Sequence, residues 1–230
     1  MNDNSTFKNA DAWGLPNVLN FFQHHRTTTD HIYPSEWIFL RDRLSEGMSI
    51  LDVGCAQGGF AGIVAEHVKD FSYTGVDINE DMIRIAKEKF PAHQFINIQE
   101  GDLASLSNTK YDIVLVLGIL HLHESWRKTL AEAWRHCSDS LIFDLRETHN
   151  PTIEDKGRSY FKMDFGKSGE HHAATILPYN LINGADAEEA INGICREATR
   201  IEHYGYRHAM SDSAVTPEKE AITRTWCVTR

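Results

Sequence analysis

Hydrophobic positions in the middle of this chain follow two alternating rhythms. Short apolar runs of strand length recur at Ser49–Val53, Phe71–Val76, Gln94–Ile98, Ile113–Leu117 and Leu141–Leu145. Between them, apolar residues return every three or four positions, the spacing of one helix face. Asn79–Phe90 is such a stretch: it opens on a capping asparagine and two acids, Glu80 and Asp81. It then carries Met82, Ile83, Ile85 and Ala86 on one side, closes on Lys87 and Lys89, and is stopped by Pro91. Acids in the first turn and bases in the last complement the helix dipole, and proline cannot continue a helix. Gly58–Val68 has helical spacing too, and after the fourth strand Trp126, Leu130, Ala133, Trp134 and Cys137 mark another helix face. Strands alternating with helices of this length predict right-handed βαβ units and a parallel sheet covered on both sides. The expected fold class is doubly wound α/β.

The two ends read differently. Residues 1–47 hold two expected helices, around Leu15–His25 and Ser35–Leu44, with no strand between them. They are taken as an N-terminal helical lid on a main domain of residues 48–230. Residues 147–182 show no clear period. Ala185–Arg196 follows as a helix, with Arg200–Tyr206 and Ala221–Thr229 as strands. Two strands without an intervening helix should pair antiparallel at the sheet edge. The polar 207–220 connection is expected to be mobile.

Composition narrows the setting. A chain of 230 residues suits one domain with a small appendage, and no internal repeat or low-complexity segment interrupts it. No apolar run is long enough for a transmembrane helix, so no membrane partner is expected. The start, MNDNSTFKNADAW, is acidic and polar, unlike a secretory signal. Cys55, Cys137, Cys195 and Cys227 are widely spaced, which suits reduced thiols in a cytoplasmic protein rather than a zinc or redox site. A net charge of −10 disfavours a phosphate-backbone partner, so no nucleic acid is expected.

Open α/β sheets bind ligands at the carboxyl ends of their strands. There the first strand runs through Asp52-Val53-Gly54-Cys55-Ala56-Gln57-Gly58-Gly59 into a helix. Glycines permit a tight turn and close ligand approach. Such a loop alone would also admit a nicotinamide cofactor. Asp52, just before the first glycine, would repel a pyrophosphate but favour a ligand carrying an ammonium and a sulfonium. Asp77 ends the second strand, where an acid can accept from both ribose hydroxyls. Asp102 follows the third strand and can accept from an adenine amino group, with Leu103 packing near the ring. Each aspartate has an ordinary alternative role as a helix cap; their order along the chain is what points to one ligand.

With these motifs, Ile50–Leu145 resembles the class I S-adenosylmethionine-dependent methyltransferases, the Rossmann-like family. The resemblance implies a seven-stranded, mostly parallel sheet whose C-terminal strand is antiparallel. It implies S-adenosylmethionine as cofactor and S-adenosylhomocysteine as product. The loop Asp52, Gly54, Cys55, Ala56 and Gly58 would take the methionine part, Asp77 with Ile78 the ribose, and Asp102-Leu103 the adenine; Leu117-Gly118 would lie beside the sulfonium. Ala56 stands where the family usually has a second glycine.

After the fourth strand, Leu117-Gly118-Ile119-Leu120-His121-Leu122-His123 lacks the Asp/Asn-Pro-Pro-aromatic signature of nucleobase-amine methylation. Its Leu-His pair resembles the small-molecule branch. If the acceptor is a hydroxyl a base helps, and His121 is the candidate; capping of the next helix is its alternative. His123 is expected to begin that helix. A His121/His123 metal pair has no neighbouring carboxylate, so no metal is expected. Tyr33 and Arg146 are candidate acceptor contacts, Arg146 alternatively pairing with Asp144. Trp37 reads as a packing residue and His171-His172 as a solvated turn. Asp144-Leu145-Arg146, Ser159-Tyr160, Pro178–Asn183 and Tyr204-Gly205-Tyr206 resemble bacterial surface-polysaccharide and natural-product methyltransferases, which makes a sugar hydroxyl or similar small polar metabolite the first acceptor expected. A non-catalytic S-adenosylmethionine-binding protein and an NAD(P)-dependent reductase are the rival readings.

Overall fold

The computed structural model describes residues 9–163 and 176–230. Three helices come first: α1 (Asn9–Trp13), α2 (Pro16–His24) and α3 (Pro34–Leu40). The central alternation follows as β1 (Met48–Val53), α4 (Gly59–Ala65), β2 (Phe71–Asp77), α5 (Glu80–Lys89), β3 (Gln94–Asn97), β4 (Tyr111–Val116), α6 (Trp126–His136) and β5 (Cys137–Thr148). Then come β6 (Tyr160–Lys162), β7 (Ile176–Pro178), β8 (Ile182–Asn183), α7 (Gly184–Ile194), β9 (Arg200–Ala209), β10 (Ala214–Val215) and β11 (Glu220–Thr229).

The main sheet runs β3-β2-β1-β4-β5-β11-β9, with short β8 beside the end of β5. β1 to β5 are parallel, and β11 lies antiparallel between β5 and β9. Because strand side chains alternate, each interior strand feeds two cores. Leu51, Val53, Val114, Val116, Leu141, Phe143, Trp226 and Val228 face one side, closed by α6 and α7 residues such as Leu130 and Ile191. Ile50, Ile113, Leu115, Ile142 and Cys227 face the other, with Phe39 and Leu40 of α3, Ile63 and Val64 of α4, and Ile83 and Ala86 of α5. This doubly wound, mostly parallel sheet with an antiparallel C-terminal strand is the expected class. The α5 boundaries also agree, Asn79 capping through its side chain, which accepts from Met82 N–H at 3.0 Å.

Several local expectations change. The second N-terminal helix stops at Leu40 and tightens into a 3-10 turn at Arg41–Arg43. Its Phe39 and Leu40 sit in the sheet's own core, whereas α1 and α2 lie by the carboxyl edge: Gln57 Nε2 donates to Leu19 O (2.8 Å), and Asn79 Nδ2 to Ala10 O (3.0 Å). β5 is much longer than Leu141–Leu145, because β11 pairs along it from Ser140 to Glu147. The aperiodic 147–182 stretch contains β6 and β7 and the first residue of β8. β6 and β7 form a small sheet with β10, so the 207–220 connection, expected as a polar linker, includes the end of β9 and the short strand β10. Such short strands carry too few residues to show a period, and their partners are distant in sequence. His171-His172 lie outside the described residues.

The turn after β1 depends on close backbone approach. A Cβ on Gly59 would lie 2.0 Å from the Arg26 carbonyl oxygen, a backbone atom that cannot swing aside. Gly59→Ala is therefore expected to destabilise the protein by about 1–3 kcal/mol, the cost of overpacking, read as a lower urea midpoint with unchanged slope. An unchanged midpoint would mean the 26–27 crossing is not held against α4.

Candidate functional site

One cavity of about 490 Å³ opens at the carboxyl edge of β1, β2 and β4. Asp52, Gly54, Cys55, Ala56, Asp77, Ile78, Leu117, Gly118, His121, Tyr33 and Arg146 all line it. Gly58, Asp102 and Leu103 do not. Gly58 holds the left-handed position that caps α4, Leu103 is fully buried in the core, and Asp102 is exposed, its Oδ1 accepting from Ala104 N–H at 2.9 Å. At that end the wall is Ile98, Gly101, His123 and Thr129 instead.

The loop's shape follows from a few bonds. Gly54 (φ +81°) and Cys55 donate their N–H groups to Val76 O at 2.8 and 3.1 Å. Ala56 takes φ +46°, a left-handed strain of about 1–2 kcal/mol. It is held there by its N–H, which donates to Asp77 Oδ2 at 2.9 Å. Asp77 Oδ1 meanwhile accepts from Asn79 N–H at 2.9 Å, so one carboxylate pins both the glycine loop and the start of α5. Burial pushes Asp77 up to about 6, against these backbone N–H groups. Asp52 is also pushed up to about 6 by burial, opposed by the Tyr73 hydroxyl, which donates to its Oδ2 at 2.5 Å, and by Arg26.

The other end of the cavity is built from buried ion pairs and aromatic rings. Arg26, absent from the sequence-derived set, sits at φ +57° with Nη2 donating to both Glu36 oxygens at 3.0 Å. Its guanidinium lies 5.0 Å from the Phe60 ring centre and 5.5 Å from that of Tyr33. Arg146 pairs with Asp144, as its conservative reading expects, and still faces the cavity; Asp144 also accepts from Gly118 N–H. Trp37 lies off the cavity, tilted against His67 at 4.8 Å. Sequence patterning had no means of finding Arg26, because its role comes from a loop crossing far from any motif.

His121 is 6% exposed and makes no side-chain hydrogen bond among the described residues; its Nδ1 is buried and unpaired. Helix capping is thereby removed as its role, since α6 starts only at Trp126. Burial, then the charge of Arg146, hold the imidazole well below its ordinary value and therefore neutral. His123 does not begin the helix either. It ends the 3-10 turn Leu120–Leu122 and places Nδ1 3.4 Å from Thr129 Oγ1 and 3.9 Å from Glu100 Oε1. The segment is fixed by Asn180, whose N–H donates to His121 O (2.7 Å) and whose Nδ2 donates to His123 O (2.6 Å). No group of three or more His, Cys, Asp or Glu that could hold a metal occurs among the described residues.

A glycine-turned loop flanked by two buried acids, on a sheet with an antiparallel last strand, defines a Rossmann-like domain of the methyltransferase kind. Residues 50–140 match the family model described as a methyltransferase domain. Over that stretch the chain is similar to methyltransferase domains, and its sheet is the Rossmann-like one of the class I kind. Among curated relatives, phthiotriol/phenolphthiotriol dimycocerosates methyltransferase of Mycobacterium tuberculosis is 31% identical over 93 residues, 39% of this chain and 33% of that protein. tRNA (guanine-N(7)-)-methyltransferase of Streptococcus pyogenes is 26% identical over 134 residues, 57% of this chain and 61% of that protein. The chain thus spans a third to three fifths of these relatives' length. The N-terminal domain of EvdMO1, solved with S-adenosylhomocysteine and D-fucose present, superimposes with TM-score 0.58 at 14% identity, covering 86% of this chain and 84% of that one.

Proposed function

We propose that this protein transfers the methyl group of S-adenosylmethionine to a hydroxyl of a small polar acceptor, a class that takes in sugars and natural-product metabolites. The observation that carries the reading is that the buried imidazole of His121, its Nδ1 unpaired, shares one cavity with the buried acids Asp52 and Asp77. The donor set fits the cofactor: Asp77 has the place for ribose hydroxyls, and Asp52 is a negative charge suited to an amino acid ammonium rather than a pyrophosphate. The bound cofactor supplies an activated methyl group. What remains for the chain is to align the acceptor, exclude water and hold the hydroxyl proton, which falls to His121. Tyr33 and Arg146 flank the acceptor end. α1 and α2 serve as the cover of the cofactor.

The D-fucose present with the EvdMO1 domain supports a sugar-sized acceptor, and the net charge of −10 favours a small molecule over the tRNA of the Streptococcus relative. No helix among the described residues is long and apolar enough to cross a membrane, and the four cysteines are free and buried, which suits the reducing cytoplasm. At about a hundredfold above their dissociation constants, S-adenosylmethionine and S-adenosylhomocysteine should add about 2.7 kcal/mol of stability, a melting shift of about 5–10 °C. NAD and NADP should add none. A shift with NAD and none with S-adenosylhomocysteine would overturn the reading.

A further inference from the structure

Two aromatic rings and a paired arginine shape the end of the cavity around His121. Phe161 and Tyr179, brought in by the small β6–β7 sheet, stack at 5.9 Å with 19° between their planes and line the cavity. Tyr179 also meets the His121 ring edge-on at 5.4 Å. Arg146, positioned by Asp144, lies in the same wall.

Resting on the methyltransferase reading, we propose that the acceptor is a planar ring bearing an acidic hydroxyl, a phenol or enol, and not an aliphatic sugar alcohol. A flat aromatic acceptor gains offset or edge contacts against the Phe161 and Tyr179 rings, a pairing of π systems that a saturated sugar ring does not make. That wall sets the ring beside His121 and Arg146. The chemistry of these two agrees. Burial and Arg146 weaken His121 as a base, and a weak base removes protons efficiently only from hydroxyls that are themselves acidic. Arg146 supplies positive charge where a phenolate-like oxygen develops, in a site that Asp144 has already neutralised overall. In the transfer the acceptor oxygen bonds to the methyl carbon as the carbon–sulfur bond breaks, its electron pair staying on sulfur. The hydroxyl proton passes to His121 and from there to solvent.

The test uses the full chain saturated with S-adenosylhomocysteine, and the probes catechol, 4-hydroxybenzoate, 1-naphthol, benzyl alcohol and methyl α-D-glucopyranoside. One or more of the three phenols should raise the melting temperature of the complex. With S-adenosylmethionine, that phenol should yield its methyl ether about a hundredfold faster than benzyl alcohol, which has the ring without the acidity. The glucoside should do neither. Phe161→Leu should lose the phenol shift yet keep the shift caused by S-adenosylhomocysteine. His121→Gln should keep both shifts and lose turnover. The proposal is overturned if the glucoside outpaces every phenol, or if no phenol shifts a complex that forms normally. Failure of S-adenosylhomocysteine itself to bind would instead remove the methyltransferase reading beneath it.

Discussion

His121→Gln is expected to lower the single-turnover rate by about 10²–10⁴-fold while leaving S-adenosylhomocysteine affinity unchanged, the range for removal of a positioned general base. The structure makes this variant more informative than most histidine replacements. The ring makes no side-chain hydrogen bond among the described residues, so glutamine breaks no capping or carbonyl contact. A role in packing alone would lower the melting temperature and leave the rate per folded molecule intact. The pH profile separates the two further. Only neutral imidazole can take the proton, and burial together with Arg146 depresses protonation of His121. Turnover of the wild type should therefore be level across the neutral range, and fall only on the acid side of the ordinary histidine value. A rate that climbs through the ordinary histidine range would show that some other, less buried group is the base. The same depression means that the unfolded chain binds a proton at this position that the folded chain refuses. Stability from this group is complete above the unfolded value and is lost as the pH falls.

The sheet, its strand order and the start of α5 were legible because their signals are local and repeated: apolar runs, helix-period faces, and a capping asparagine with acids behind it. Asp52, Asp77 and His121 were legible for a related reason. Asp52 and Asp77 stand at the ends of β1 and β2, His121 in the turn that follows β4, and in this topology these ends converge on one edge. The acceptor end was opaque. Arg26 belongs to a loop with no period, and its burial depends on Glu36 and Phe60, brought near only by folding. Phe161 and Tyr179 sit in or beside strands of three residues. Asn180 acts through the carbonyls of His121 and His123, roughly sixty positions earlier, a contact that leaves no mark on local composition. The adenine-side expectation failed to converge on the cavity for a further reason. Asp102 Oδ1 accepts from Ala104 N–H and the residue is not among those that line the cavity, where Gly101 and Thr129 stand.

Asp77→Asn should weaken S-adenosylhomocysteine binding by about 1.5–3 kcal/mol, or roughly ten- to hundredfold, the value of hydrogen bonds made to a charged acceptor. Asparagine keeps the shape but replaces one accepting oxygen with a donor. That donor must face either Ala56 N–H or Asn79 N–H, so one of the two bonds that pin the loop is also lost. Some loss of stability therefore accompanies the loss of affinity, although removing a buried charge partly offsets it. Wild-type affinity should carry the matching pH signature. Asp77 and Asp52 are both raised to about 6 in the free protein. Ribose hydroxyls and an ammonium bind best to ionised carboxylates, so affinity should be full above about pH 7 and decline as the pH falls through 6. Stability of the free protein should move the opposite way. A raised folded value makes these acids stabilising below their unfolded range, and that contribution is lost as the pH rises through 6. Calorimetric titration of S-adenosylhomocysteine at several pH values checks both. If affinity is flat from pH 5 to 8 and Asp77→Asn binds like the wild type, the ribose contact lies elsewhere on the cavity wall.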